Sequence, residues 1–198
     1  HTRLTCDWSS DVCSSDLSFT LGKVDIIMLD CRYYRDRKKK SMLGPVQKRW
    51  LKETLRNSKS VFKIIASSVP FSKGIKPGSK DPWDGYPDER EEIFSFIESE
   101  KIGGVSLIAA DRHRIALRRI DRPQGYDFFE FVSGRLTNRH VHPVVKTDGL
   151  IWGYNDTCGY CLIQINTRKK APSLVLEAYD LNGEKLFTHV VKASSLQF

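Results

Sequence analysis

Apolar runs and polar punctuation divide most of this chain into alternating elements. "VDIIMLD" (Val24–Asp30) is a short apolar run closed by an acid, the pattern of a central strand buried on both faces. In "GPVQKRWLKETLRNS", Val46, Trp50, Leu51 and Leu55 fall on one helical face, and Pro45 suits a first turn. "SVFKIIASSVPF" (Ser60–Phe71) predicts the next strand. A Gly/Pro/Asp-rich stretch, "SKGIKPGSKDPWDGYP", then predicts a long loop of the kind that often carries function. "DEREEIFSFIESE" predicts a helix, with acids crowding its first turn and Ile93, Phe94, Phe96 and Ile97 on its apolar side. "GGVSLIAAD" (Gly103–Asp111) predicts a third buried strand, again ending in an acid.

The alternation of strand and helix argues an α/β sheet with parallel strands. Beyond Asp111 the pattern changes. "RIALRRI", "YDFFEFVSG", "CGYCLIQI", "SLVLEAYD" and "EKLFTHVVKA" read as successive strands, with "LNGE" (Leu181–Glu184) a hairpin turn between the last two.

Only the beginning breaks the pattern. "DWSSDVCSSDL" (Asp7–Leu17) has no apolar periodicity, and it matches residue by residue the translation of a common short-read sequencing adapter. Residues 1–17 are therefore expected to be non-native and to lack a packing partner, and are excluded from fold reasoning. The native part, 18–198, is expected to be one domain truncated at its N-terminus. Any signal segment or upstream half of an active site would lie outside it.

Composition adds little. The 198 residues suffice for one domain with a real core, and no apolar run is long enough to span a membrane. A net charge of +8 favours polyanions or phosphorylated substrates. Part of it sits in "RYYRDRKKK" (Arg32–Lys40), which reads as a solvated loop, so no nucleic-acid partner is expected. Oligomeric state is left unassigned. "CGYC" (Cys158–Cys161) lies in a strand-like run rather than at a helix start, and no second pair completes a zinc site. Two core thiols are the simpler reading.

Several segments carry candidate chemistry. Asp30 and Arg32 lie just past a strand end, where open α/β sheets place ligands; a carboxylate–guanidinium pair that merely pins the loop is the alternative. Asp81, Trp83 and Asp84 lie on the long loop, either covering a pocket or forming the loop's own small core. "ADRHR" (Ala110–Arg114) follows the third strand and offers one hard oxygen, Asp111, and one imidazole, His113. Zinc, manganese and iron accept that pair, and calcium takes the carboxylate. In "NRHVHP", His140 and His142 would share one face of a strand, a workable metal geometry, or belong to a polar loop.

Together "MLDCRYYRD", "LGPVQKRWLKETLRNS", "KDPWDGYPDEREEIFSFI" and "SLIAADRHR" resemble the PhoD-like (alkaline phosphatase D) metallophosphatases of the calcineurin-like phosphoesterase superfamily, over about Ser18–Val191. The resemblance implies an α/β sandwich, two packed mixed β-sheets flanked by helices, with the last strands completing the second sheet. It implies hydrolysis of a phosphoester substrate by a metal-activated water. Asp111 and His113 match the family's Asp-x-His metal motif, with Ala110 where the family carries glycine. Asp30 and Arg32 match its Asp-x-Arg strand end, Arg32 facing phosphate and Asp30 orienting it; Asp84, His140 and His142 are further possible site residues. Calcium, iron, manganese or zinc would be the cofactor, and an extracytoplasmic location would follow. The family's earlier metal ligands fall upstream of this chain, so the chain alone is expected to be inactive. The rival is a non-catalytic β-rich binding module with a degenerate metal site.

Overall fold

The computed structural model describes residues 17–135, 142–168 and 170–198. Its strands are β1 (Leu17–Leu21), β2 (Val24–Leu29), β3 (Phe62–Ser67), β4 (Val105–Ala109), β5 (Ile115–Ile120), β6 (Phe128–Val132), β7 (Leu150–Tyr154), β8 (Gly159–Asn166), β9 (Ser173–Asp180) and β10 (Lys185–Lys192). Helix α1 covers Gly44–Asn57 and helix α2 covers Pro87–Ser99. The larger sheet runs β1-β2-β3-β4-β6-β5-β7, and a smaller one runs β10-β9-β8. The strands β2, β3, β4 and β6 are mutually parallel, as the strand–helix alternation predicts.

The two faces of the larger sheet are covered differently. Phe128 of β6 meets Phe94 of α2, while its neighbour Phe129 meets His189 of β10. Residues one apart on a strand point to opposite faces, so the helices lie on one face and the small sheet on the other. Trp152 of β7 stacks on Phe187 of β10, fixing the far end of that second layer. The fold is thus the expected α/β sandwich.

Some elements differ from the sequence expectations. Val46 is exposed on α1, and Gln47 takes the inward position instead. The reason is chemical: Gln47 donates to the Asp30 carbonyl and accepts the Asp30 amide, so the helix face is turned to satisfy the end of β2. Strand β7 was masked by its two flanking polar stretches and the mid-strand Gly153. Leu17, the last residue of the adapter-like segment, opens β1 and pairs with Met28. Residues 1–16 lie outside the described residues. Cys158 and Cys161 are free and only half-buried, with Cys161 on β8 as expected, and burial pushes its thiol up to about 11.

Carboxylates hold the long loops against the sheet edge. Glu130 of β6, fully buried, accepts the amides of Phe71 and Ser72 where the loop after β3 begins. Glu89 of α2 accepts those of Met42 and Leu43 before α1. Asp84 accepts the Gly74 amide at 2.8 Å. Asp81 ties the loop after β3 to the loop after β2, taking Arg32 at 2.7 Å and Arg35 at 2.5 Å. Trp83 is the loop's own core rather than a pocket cover: it is buried, stacks on Phe71 and donates to Ser67 Oγ.

Two predictions follow from this packing. Gly104 has φ +78°, and a Cβ there would lie 2.0 Å from the Val61 carbonyl oxygen. Gly104→Ala should therefore lower unfolding free energy by more than about 2 kcal/mol in urea titration. An unchanged midpoint would show that the chain does not approach itself so closely there. Burial opposes ionisation of Asp81, but the Arg32 and Arg35 hydrogen bonds outweigh it and hold the carboxyl at about 2, below its ordinary 3.8. A depressed folded pKa stabilises fully above the unfolded value, and the benefit is lost as pH falls through the folded one. With Arg32 open to solvent the contribution is about 1 kcal/mol. Asp81→Asn should cost that much at pH 7, and the gap should close between pH 4 and pH 2; a pH-independent gap would assign the loss to something other than ionisation.

Candidate functional site

The register of the parallel strands decides which loops meet. Leu29, Ser67 and Ala109 are aligned partners across β2, β3 and β4. The next residues, Asp30, Ser68 and Ala110, therefore leave the sheet at one edge. Neighbouring strands lie about 4.8 Å apart, so the Asp30 and Asp111 segments emerge on the order of 10 Å from each other. Carboxyl edges of such strands are where α/β folds gather ligand-binding side chains.

The turn after β4 is unusual in its backbone. Asp111 has φ +72° and His113 φ +48°, left-handed conformations that non-glycine residues adopt at a cost. Between them Arg112 returns to negative φ, so the two candidate ligands are presented by successive reversals. Ala110 is not among the positive-φ residues and is exposed, so the alanine crowds nothing in this turn.

The candidate carboxylates separate by what they already hold. Asp30 Oδ1 accepts the amides of Arg32 at 2.7 Å and Tyr33 at 2.9 Å, a turn-forming use. Asp84 is occupied by Gly74 and lies 3.7 Å from Arg90. Asp81 holds Arg32 and Arg35. Asp111 differs: its Oδ2 is buried without a hydrogen bond, and its nearest cation is Lys76 at 3.7 Å. His113 stands beside His142, ring centroids 5.1 Å apart. His140 lies outside the described residues.

Positive charge surrounds this turn. Arg112 is 5% exposed, and its Nε and Nη1 are buried without acceptors. Arg114, also buried, donates to the carbonyls of Pro143 and Ile75. Burial pulls its guanidinium down to about 10, with Arg112 and Arg118 adding to the effect. The same environment lowers His142: burial first, then Arg112, His113, Arg114 and Lys76. A neutral imidazole is the form that ligates metals. Lys76 was not singled out in the sequence, whereas Arg112 and Arg114, flanking the Asp-x-His, read there as facing either phosphate or solvent; both are buried. A partial signal existed, since Arg114 and Arg118 are in phase on a buried strand where basic residues need a reason.

Asp111 Oδ2, a buried carboxylate oxygen with no hydrogen bond, and the imidazoles of His113 and His142 are chemically suited to a divalent or trivalent ion. They are part of a shell: among the described residues no group of three or more His, Cys, Asp or Glu is gathered closely enough to hold a metal. A groove of about 390 Å³ lies elsewhere, between α2 and the 147–149 turn. Of its cations, Arg119 is matched by Asp121 and Arg122 by Glu91 and Glu98, while Lys73 and Arg90 also line it.

Residues 17–169 match the family model of the PhoD-like phosphatases. Alkaline phosphatase D of Bacillus subtilis (strain 168) is 30% identical over 118 residues, covering 48% of this chain and 20% of that protein. A solved structure of PhoD superposes with a TM-score of 0.64 at 19% identity, over 90% of this chain and 43% of that one. GAP50, the anchor in the inner membrane complex of Plasmodium, superposes with a TM-score of 0.59 at 15% identity, over 97% and 54%. At these identities the two superpositions speak to fold alone. The chain spans a fifth of the bacterial relative and about half or less of the solved structures. With the family model covering most of its length, the chain belongs to the PhoD-like phosphatase family.

Proposed function

We propose that this chain supplies the carboxyl-edge part of the active site of a metal-dependent phosphoester hydrolase, with Asp111 and His113 as metal ligands and Arg32 as a phosphate contact. The observation that carries the reading is the division among carboxylates: Asp30, Asp81 and Asp84 are spent on loop amides and guanidinium groups, while Asp111 Oδ2 is buried and unbonded. A buried carboxylate oxygen with no hydrogen bond, and only the Lys76 ammonium 3.7 Å away, is costly, and a metal ion is the ordinary compensation. The left-handed backbone at both candidate ligands supports it, because strain of this kind persists where side-chain direction matters.

A metal ion held there would act as a Lewis acid on the phosphoryl group and lower the pKa of a bound water. The chain's own residues do the rest. Arg32, with 56% of its side chain exposed and its inner edge on Asp81, presents a guanidinium to the phosphoryl oxygens. Such a fixed donor neutralises charge that grows on those oxygens as the ester bond breaks. Asp30 keeps the Arg32 amide in its turn and so acts on the reaction through Arg32. His142, held neutral beside His113, is suited to complete the shell on this side. The remaining ligands would come from protein outside these residues, as befits a chain that spans a fifth of its bacterial relative.

The test compares the 198-residue chain, a longer parent protein and its His113→Ala variant in hydrolysis of a chromogenic phosphoester with calcium, iron, manganese or zinc. The chain alone should turn over at background rate. The parent should require metal, and His113→Ala should lower its kcat by at least about a hundredfold while its circular dichroism is unchanged. Metal-independent turnover, or a His113→Ala parent as active as the original, would remove the Asp111–His113 site from the mechanism.

A further inference from the structure

The basic run Arg32–Lys40 divides into two parts. Arg32 and Arg35 turn back onto Asp81 and belong to the loop packing. Arg37, Lys38, Lys39 and Lys40 project beyond them, and all four are exposed. They form the tip of a small hairpin, which Asp36 and Ser41 close with paired backbone hydrogen bonds of 2.8 and 2.9 Å. Inside the tip, Asp36 Oδ1 accepts the amides of Lys38 at 2.9 Å and Lys39 at 3.0 Å, and Lys40 reverses the chain at φ +50°. The base is fixed as well: Met42 and Leu43 are fully buried, and Glu89 accepts their amides. Runs of like charge ordinarily stay disordered, which spreads their repulsion. Here adjacent cations are held on one turn. Among the described residues, the only ion pair that any of the four makes is Lys39 with Asp36, at 3.9 Å.

Apolar surface lies beside this charge. Tyr34 packs on Gly44, its Cβ 3.2 Å from where a Cβ on that glycine would sit, so the hairpin is seated on the first turn of α1. The neighbouring Tyr33 is 63% exposed. In the first turn of α1, Val46 is 57% exposed, and Pro45 and Arg49 are open beside it. Tyr33, Pro45 and Val46 therefore stand among exposed cations.

We infer that the hairpin tip and the first turn of α1 form a docking surface for an anionic lipid bilayer. Each Lys or Arg near an anionic leaflet is drawn to it. A tyrosine settles at the boundary between water and acyl chains, and valine and proline lose water there. A soluble polyanion would engage the cations but leave Tyr33, Pro45 and Val46 in water, so the mixed surface favours the bilayer. The closed hairpin also lowers the ordering cost that a loose basic tail incurs on binding. This surface shares no side chain with the Asp111 site and does not depend on the hydrolase reading.

The experiment is co-sedimentation of the 198-residue chain with vesicles of phosphatidylcholine, with or without a third of phosphatidylglycerol. The chain should bind the anionic vesicles in preference to the neutral ones and be released as salt rises. Lys38→Gln, Lys39→Gln and Lys40→Asn together should weaken that binding about a hundredfold, from about fivefold per charge. Asparagine tolerates the left-handed conformation at position 40, so the melting temperature should not fall. Arg168→Gln, Lys170→Gln and Lys192→Gln remove the same charge from exposed positions at one end of the small sheet and should weaken binding far less. Equal losses in the two triple variants would show that net charge rather than the hairpin attracts the chain, and would overturn the proposal. Tyr33→Ser should weaken binding to the vesicles and leave binding to polyglutamate, a soluble polyanion without phosphate, as it was. Binding to polyglutamate as tight as to vesicles, with Tyr33→Ser changing neither, would assign the surface to a soluble polymer instead. Equal binding of the parent chain to neutral and anionic vesicles would remove the docking surface altogether.

Discussion

Loop amides need acceptors, and in this fold carboxylates provide them, Glu130 and Glu89 from other elements and Asp84 and Asp30 from within the loops. Glu130, Glu89, Asp84 and Asp30 accept the amides of Phe71, Ser72, Met42, Leu43, Gly74, Arg32 and Tyr33. A buried backbone N–H without an acceptor costs about as much as a lost hydrogen bond, so neither long loop would lie against the sheet edge without these partners. Glu130 is the most demanding case. Burial pushes its carboxyl up; the Ser72 and Phe71 contacts and Arg118, its cross-strand partner on β5, favour the charged form. The site geometry rests on that compensation, because the loop it starts carries Lys76 and Asp81.

The same bookkeeping separates structural from functional acids. Asp30, Asp81, Asp84 and Asp111 all cluster near one edge, and by residue type alone any of them is a metal ligand. The first three already accept hydrogen bonds from loop amides or guanidinium groups. Asp111, the ligand in the proposed function, differs in having a buried oxygen with no hydrogen bond, and it is presented from a turn whose left-handed residues a glycine would have made cheaper. That turn keeps side chains at the strained positions, where relief by glycine would have removed them.

Much of this architecture was legible in the sequence. The apolar runs of β2, β3 and β4 and the acids that close two of them, the Pro-initiated helices and the "LNGE" turn all rest on local patterns that tertiary packing did not override. The Asp-x-His turn was legible as a motif. Its neighbours were not. Lys76 comes to Asp111 from 35 positions away, through a loop with no periodicity, and its position depends on Glu130 and Asp81. Val46 and Gln47 show the opposite failure: hydrophobicity pointed one residue off, because an amide side chain satisfying the end of β2 was worth more than burying a valine. Trp83 was ambiguous in sequence because pocket lids and loop cores use the same residues; its bond to Ser67 Oγ decides for the core.

The two ends of the large sheet differ in how completely charge is compensated. At the amino end of the parallel strands, Arg122 is held by Glu91 and Glu98, and Asp25 accepts from Thr20, Ser58 and Ser60 near Lys63. Those groups are matched within the fold. Toward the carboxyl end the matching thins. Arg118 has Thr147, the Val145 carbonyl and Glu130 beside it; Arg114 has only carbonyls; Arg112 has buried nitrogens with no acceptor. Each step removes a compensating oxygen while burial stays nearly complete. A fold optimised for stability alone has no reason to arrange its arginines this way, since an unmatched buried cation destabilises it. The gradient fits the proposed function, in which the missing negative charge arrives with a ligand at the edge where Asp111 and His113 emerge.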